Sequence, residues 1–306
     1  MENINIFDIA LKLANKENLT AEEKRINENA IKKAKESGVA PTSQFNFELR
    51  NLVKPNWQRT DAHYIQRKND IDRLLQSVTF IDNCKNSMKY PYVDFTTLKW
   101  GESSTEKATV ENNKVHSAKR LSARLSISKL MLLSQPSFQS AMSEMALYAI
   151  YQKLFSSIFS TSEGNEGSIY NDEPKGLIDA TNAVTISEVA DIMALQKDVD
   201  KVSDSGFWVI SPTAKTELNK LQLSNNIFFN NMLLNSPYIS TNLAEDGYLI
   251  YVDLSKICVT EFGVAGLTVD NFTHAKDGYC DVIVECFFDF SIANNKFIKV
   301  GKFEVV

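Results

Sequence analysis

Apolar and polar residues change their spacing several times along this chain, and each change marks an element. Over residues 4–37 the apolar positions fall at helical intervals with polar interruptions. Thr20 precedes Ala21, Glu22 and Glu23, so Thr20-x-x-Glu23 forms a capping box, after which Ile26, Ala30 and Ala34 share a face. Gly38 and then Pro41 end the pattern. A second helix is predicted from near Thr60, where Ile65, Ile71, Leu74, Leu75 and Val78 make a narrow apolar stripe among many charges. Stripes this thin suit either an arm or partner-binding helix, or ordinary surface helices of a single domain.

From Val78 to Leu125 the texture becomes extended. The short runs are Val78 to Ile81, Tyr90 to Phe95 and Leu98-Lys99-Trp100. Between Gly101 and Lys114 the chain is polar, almost without large apolar groups, and cannot lie in a core. Flanked by extended segments, it reads as a long projecting hairpin, and a projection of this length in a folded protein is usually functional or disordered. Beyond it Leu121, Ala123, Leu125 and Ile127 alternate with Ser122, Arg124, Ser126 and Ser128, the period of a half-buried strand.

The strongest element follows. Ser134 or Ser137 can cap a helix with Pro136 in its first turn, and Phe138 to Phe159 runs without Gly or Pro. Phe138, Met142, Met145 and Ala149, together with Leu147, Ile150, Tyr151, Leu154 and Ile158, cover most of its circumference, so this helix is largely buried. From Ser134 to Phe159 it would reach roughly 39 Å at about 1.5 Å per residue. A polar loop from Ser160 to Gly167 ends it, and the chain resumes at Pro174-Lys175-Gly176-Leu177-Ile178.

The last part alternates helix and strand. Thr185-x-x-Glu188 is a second capping box, opening a helix whose Ile186, Val189, Ala190 and Met193 share a face. Phe207 to Ile210 is a short buried strand, Ser211 an N-cap and Pro212 the first position of a helix running to Leu223. Strands are predicted at Tyr248 to Val252, Ile257 to Thr260 and Leu267 to Val269. Asp277-Gly278 turns into the clearest strand, with Val282, Val284, Cys286, Phe288 and Phe290 on one side and Asp281, Ile283, Glu285, Phe287 and Asp289 on the other. Asn294-Asn295 then turns into a closing hairpin over Phe297 to Val305.

Composition adds less than pattern. With 306 residues, 43% apolar and 23% charged, the chain can bury a substantial core without disulfides or metal, and long disorder is not expected. A net charge of -5 advertises neither a nucleic-acid nor an anionic-membrane binder. The charge is uneven, however: residues 1–129 hold 22 Lys and Arg against 16 Asp and Glu, and residues 130–306 hold 11 against 22. The front is thus +6 and the back -11, which can lay the basic part of one copy on the acidic part of another, or leave two solvated faces of unequal charge. Met1 to Leu13 lacks a signal peptide's basic start and continuous apolar stretch, so an intracellular site is expected, and no window approaches the roughly 18 apolar residues of a membrane span. Cys84, Cys258, Cys280 and Cys286 lack Cys-x-x-Cys spacing and read as reduced, partly buried thiols.

Candidate chemistry is sparse. Gly-x-Gly-x-x-Gly, Walker-type and His-Glu-x-x-His patterns are all missing. Ser126-Ile127-Ser128-Lys129 matches the Ser-x-x-Lys of penicillin-recognising enzymes, but on an alternating strand Ser126 and Lys129 point to opposite faces. A Cys-His pair of Cys280 or Cys286 with His274 can be drawn, yet Cys286 sits among Val284 and Phe288 as a core thiol, whose pKa an apolar setting raises. The late aromatics lie among Asn, Asp and Glu rather than Lys and Arg, which disfavours nucleic-acid stacking. Lys32-Lys33-Lys35 reads as a solvated helix face.

The order of elements is more informative than any motif: a helical and extended front, a long polar hairpin ending in a strand, a long buried helix, a loop with Pro174-Lys175-Gly176, alternating helices and strands, and a terminal hairpin. Over roughly residues 78–306 this resembles the major capsid protein of tailed bacteriophages, the Hong Kong ninety-seven type. The resemblance implies an α+β phage capsid fold with an N-terminal arm, an extended loop, a peripheral domain with a long spine helix, and an axial domain. Residues 1–77 would be a helical arm or scaffold-like segment, 78–97 arm-to-loop strands, and 98–125 the extended loop lying over a neighbouring subunit. Residues 126–180 would form the peripheral domain with spine helix 134–159, 181–270 the axial domain, and 271–306 the return to the peripheral domain. Pro174-Lys175-Gly176-Leu177-Ile178 resembles the Pro-Lys-Gly-apolar segment that follows the spine helix in many such proteins.

On that resemblance Trp100, Glu102, Lys107, Lys114 and Arg120 belong to the assembly interface, and Phe138, Met142, Met145 and Leu154 to the core of the spine helix. Some relatives join subunits by a Lys to Asn link, but nothing picks an Asn partner for Lys107 or Lys114, and that chemistry is not carried over. No catalytic, cofactor or metal site is expected. The expected function is structural, a homo-oligomer of pentamers and hexamers closing an icosahedral shell around double-stranded DNA in the virion, assembled in host cytoplasm. Portal, scaffold or other capsid proteins are further expected partners, with packaged DNA in non-specific proximity and no membrane contact. An encapsulin-type shell holding cargo protein is the alternative within the fold, and an uncharacterised hydrolase the competing class.

Overall fold

Period-two alternation in the strands and 3.6-residue recurrence in the helices sort the described residues into a six-stranded sheet, a seven-stranded sheet, a two-stranded ribbon and the helices packed on them. The computed structural model describes residues 6–36, 43–47, 65–84, 87–94, 109–128, 136–164, 173–222, 227–230, 232–270 and 272–303. In chain order, α1 (Ile6–Ala14) and α2 (Ala21–Glu36) lead to β1 (Phe45–Phe47), α3 (Ile65–Ser77), β2 (Thr79–Cys84), β3 (Ser87–Asp94), β4 (Thr109–Ser117) and β5 (Lys119–Ser128). The long helix α4 (Pro136–Ile158) follows, then β6 (Val184–Thr185), α5 (Val189–Asp200), β7 (Gly206–Ile210), α6 (Pro212–Gln222), β8 (Phe228–Phe229), β9 (Met232–Leu233), β10 (Ser236–Ser240) and β11 (Tyr248–Asp253). Last come β12 (Ile257–Phe262), β13 (Ala265–Asp270), β14 (Tyr279–Ile292) and β15 (Ile298–Lys302).

The front of the chain corrects one expectation. Residues 4–37 do not form a single interrupted helix: Lys16 takes a left-handed φ of 58°, and the Glu17 N–H returns to the Lys12 carbonyl at 2.8 Å, ending α1. The Thr20 capping box then starts α2, with the Thr20 N–H donating to the Glu23 carboxylate at 2.6 Å and the Glu23 N–H to the Thr20 hydroxyl at 3.3 Å. Lys12 reaches Glu23 at 2.7 Å and ties the two helices together. Ile9 and Ala10 are buried in the same core as Leu147, Leu154 and Ile158 of α4.

β14 organises the six-stranded sheet. It pairs antiparallel with β5 along one edge, so that Phe288 stands between Lys119 and Glu261, and Glu285 between Ser122 and Gly266. β12 and β13 follow one another along the opposite edge, their register slipping by two residues around Gly263, whose φ of 72° suits a bulge. β1 pairs with β13 and β2 with β12. The alternation expected for β5 and β14 is borne out: Val282, Val284, Cys286, Phe288 and Phe290 join the core with α4, while Asp281, Glu285 and Asp289 take the other face.

The sheets divide the chain differently from the sequence order. β5 pairs with β14 from Lys119 onward, so residues 119–125, expected within the extended loop over 98–125, are a strand of the six-stranded sheet. β12 and β13, expected in the axial domain, lie in that same sheet because β14 supplies their hydrogen-bond partners. Nor do β14 and β15 form a closing hairpin: β15 pairs antiparallel with β11 and parallel with β6, in the other sheet. That second sheet runs β6-β15-β11-β7-β10-β9-β8, covered by α5 and α6 around Trp208, Ile210, Leu249 and Tyr251. Ser211 caps α6 as expected, accepting from the Ala214 N–H at 3.2 Å.

The capping box expected at Thr185-x-x-Glu188 is displaced. Thr185 pairs with Lys302 as a strand, and the Asp191 carboxylate instead accepts from the Ser187 and Glu188 N–H groups at 2.9 and 3.0 Å. α5 therefore starts at Val189 and buries Ile192, Leu195 and Val199, leaving Met193 exposed.

The end of the spine helix explains Pro174-Lys175-Gly176. This segment doubles back on the C-terminus of α4: the Leu177 N–H donates to the Ile158 carbonyl at 2.9 Å, Ile178 to Ser160 at 3.1 Å, and Gly176 to Ser162 at 2.8 Å. The Glu245 N–H takes the Phe159 carbonyl at 3.1 Å, and its carboxylate receives the Thr161 hydroxyl at 2.8 Å. Carbonyls that a helix terminus leaves unpaired are thus satisfied by a returning segment and by the loop before β11.

Candidate assembly surface

Strands β3 and β4 pair antiparallel from Ser87↔Ser117 to Asp94↔Thr109, with a register shift between Tyr90 and Tyr92. Among the described residues they pair with each other alone. Such a ribbon is marginal in water by itself and needs packing from elsewhere. Residues 95–108, which join the two strands, lie outside the described residues, and with them Trp100, Glu102 and Lys107. Lys114 is on β4 opposite Tyr90.

The root of the ribbon is where it meets the body. His116, 2% exposed, places Nδ1 at 2.7 Å from the Thr260 hydroxyl and Nε2 at 2.6 Å from the Ser291 hydroxyl. In a neutral ring one nitrogen donates and the other accepts, and either hydroxyl can serve either way. Next to it the buried Asp289 carboxylate accepts from the Ser117 N–H at 2.9 Å and from the Lys119 ammonium at 3.0 Å. Asp289 lies directly opposite Thr260, and Ser291 opposite Cys258, so all these groups stand on the polar face of the sheet.

That polar face continues as a ladder. Arg120 is ion-paired with Glu285, and the Arg124 Nε donates to Asp281 at 2.9 Å. The register puts Ser122 and Ser126 directly opposite Glu285 and Asp281, so both pairs are diagonal cross-strand contacts. The Ser126 hydroxyl, followed by the Arg124 guanidinium and His274, holds the Asp281 carboxyl below its usual range against the opposing effect of burial. Arg120, expected on the loop, therefore stands on β5 with its charge engaged inside the subunit. Sequence reasoning missed His116 and Asp289 as a pair, because 172 residues separate Asp289 from the neighbouring Ser117 and no local spacing marks such a contact.

Several apolar side chains remain outside the cores. Phe229 and Met232 sit opposite each other on the β8–β9 hairpin, 63% and 42% exposed, while the adjacent pair Phe228 and Leu233 faces inward. Phe272 is 88% exposed on a turn held by the Asp270 carboxylate, which accepts from the Phe272 and Thr273 N–H groups at 2.8 and 3.2 Å. Of the expected spine core, Leu154 is buried, while Phe138, Met142 and Met145 lie on α4 with side chains outside the described set.

The candidate nucleophiles are quenched. All four cysteines are buried and outside any disulfide; burial pushes the Cys258 thiol up to about 11 and Cys286 well above its ordinary value. Ser126 donates to Asp281 within the ladder. Among the described residues no three His, Cys, Asp or Glu gather as a metal site, and no helix is long and apolar enough to cross a membrane.

Comparison with known proteins adds a family. The model of the phage capsid family matches residues 50–303. No curated protein matches by sequence. Among solved structures, the capsid of a native GTA particle is 12% identical with a TM-score of 0.57, the match covering 83% of this chain and 96% of that one. The satellite phage P4 procapsid is 10% identical, TM-score 0.54, covering 79% and 100%. The SrpI encapsulin complex from Synechococcus elongatus is 11% identical, TM-score 0.53, covering 83% and 93%. At these identities the likeness is one of fold.

Proposed function

The chain belongs to the phage capsid family as a major capsid protein of the Hong Kong ninety-seven type, and from that premise we propose that its copies close an icosahedral shell of pentamers and hexamers around double-stranded DNA. It assembles with copies of itself, and its place is the virion capsid. In this reading the β3–β4 ribbon and residues 95–108 beyond it lie over a neighbouring subunit, with Trp100, Glu102, Lys107 and Lys114 among the contacts. The observation that carries the reading is the ribbon itself. It has no sheet neighbour within the described subunit, yet its root is pinned by buried polar groups, an arrangement suited to an arm held out toward another copy.

The uneven charge supports the same geometry. An acidic back, with the ladder carboxylates already neutralised by β5, leaves other Asp and Glu to receive basic parts of a neighbour. The exposed Phe229–Met232 pair and Phe272 are further contact candidates, because apolar groups on ordered turns and edge strands mark interaction sites. We assign the protein a structural role without catalysis, and place assembly in the host cytoplasm with portal and scaffold proteins as further partners. Electron microscopy of purified particles, with nuclease-protected nucleic acid measured on the same sample, tests this. Closed shells holding DNA support it. Closed shells holding cargo protein without nucleic acid favour an encapsulin-type compartment, which the likeness to the SrpI complex keeps in view.

A further inference from the structure

The ribbon is joined to the body by two short covalent links, residues 85–86 before β3 and Ala118 after β4. Chain links of one or two residues set position, but they leave the angle of departure free unless side chains fix it. A strand of nine residues reaches about 30 Å, so a tilt of about 10° at the root displaces the far end by about 5 Å, enough to miss a specific contact.

Two groups at the root oppose such a tilt. His116 is fully engaged between hydroxyls on two different strands, Thr260 of β12 and Ser291 of β14, which fixes the ring in position and in plane. Asp289 grips the next residue by its backbone N–H and the one after Ala118 by its side chain, at Ser117 and Lys119, so it spans the corner between β4 and β5. Its own Oδ1 also accepts from the Phe290 N–H at 2.9 Å, which restrains the carboxylate. Tilting the ribbon would pull a buried imidazole away from the Thr260 and Ser291 hydroxyls and take the Ser117 N–H from a buried carboxylate, at groups only 2% and 4% exposed.

We propose that His116, wedged between Thr260 and Ser291, and Asp289 at the β4–β5 corner are positioning residues that lock the angle at which the β3–β4 ribbon leaves the subunit body. The lock rests on the reading of the ribbon as an arm laid on a neighbour. Its consequence for the shell is that each copy presents its arm within a narrow range of angles, and loss of the lock gives copies that fold but close irregularly.

Spin labels on Thr109→Cys, at the far end of β4, and Asn219→Cys, exposed on α6, read this angle in the unassembled full chain, the four native thiols being buried. Pulsed electron resonance should give a narrow distance distribution for the otherwise native chain and one at least twofold broader for His116→Ala. Should His116→Ala fold poorly, Ser291→Ala and Asp289→Asn each remove part of the lock while keeping the ring or an acceptor for Ser117, and each should broaden the distribution. In shells the same variants should spread the particle diameters. A distribution that stays narrow in all three variants, even where the melting temperature falls, overturns the lock and leaves these residues merely structural. Failure of the native chain to form shells would count against the capsid reading instead, since the distance measurement needs no assembly.

Discussion

Gly176 lies so close to the Ser160 carbonyl that a Cβ added there would come within 2.0 Å of its oxygen. The obstacle is backbone at the end of the spine helix, so it cannot swing aside as a side chain would. Gly176→Ala should therefore destabilise the subunit by about 3 kcal/mol, the upper end for overpacking. A denaturant melt of the isolated subunit measures it. A change under about 0.5 kcal/mol, typical of a neutral surface substitution, would contradict the packing described at Pro174-Lys175-Gly176.

The Asp281 carboxyl makes the sheet acid-sensitive. Its folded pKa lies below the ordinary carboxylate value of about 3.9, so the stability it contributes is present above that value and is lost as pH falls through the lower folded pKa. Ser126→Ala removes the largest cause of the depression. The acid unfolding midpoint, followed by tryptophan fluorescence, should move to higher pH in this variant, while stability at pH 7 falls. An unchanged midpoint would show that the Ser126–Asp281 bond is not made.

Native thiols should be silent. With burial holding Cys258 near 11 and Cys286 well above its ordinary value, an aromatic disulfide reagent at pH 8 should release almost no chromophore from the folded chain and four equivalents after denaturation. A fast-reacting thiol in the folded protein would mark a site that these packing contacts do not contain.

Much of the body was legible in the sequence, and what escaped shares one physical cause. Alternation at Leu121 to Ile127 and at Asp281 to Phe290 announced both strands and their faces, because each has one buried and one polar side. The Thr20–Glu23 box and the spine helix were readable because helix signals are local. β1 was missed: Phe45, Asn46 and Phe47 are all buried, so three residues carry no alternation. β15 was assigned to the wrong sheet, since a short apolar run does not reveal which distant strand it will meet. His116 falls within the extended loop expected over 98–125, and its role there is hidden because its partners lie 144 and 175 residues away. Met193, expected to share a face with Ile186, Val189 and Ala190, is exposed, because α5 starts at Val189 and turns Ile192, Leu195 and Val199 inward.

The exposed pair Phe229 and Met232 offers a separation of folding from assembly. Changing both to Ser should leave stability within about 0.5 kcal/mol, since neither side chain is buried in the subunit. Particle yield at equal protein concentration should nevertheless fall several-fold if the β8–β9 hairpin meets another copy. Equal yields would remove this hairpin from the contact surface.

The most direct test concerns the ribbon as an arm between copies. In a variant with residues 95–108 replaced by Asn-Gly, the two strands would still be joined by a tight turn, and the body contacts of His116 and Asp289 would be untouched. Sedimentation velocity with electron microscopy, run on this variant beside the full chain, gives the answer. The account predicts fast-sedimenting closed shells from the full chain and a folded but slowly sedimenting subunit from the variant. Closed shells of normal yield and stability from both, or a lone subunit from the full chain at every concentration, would contradict it.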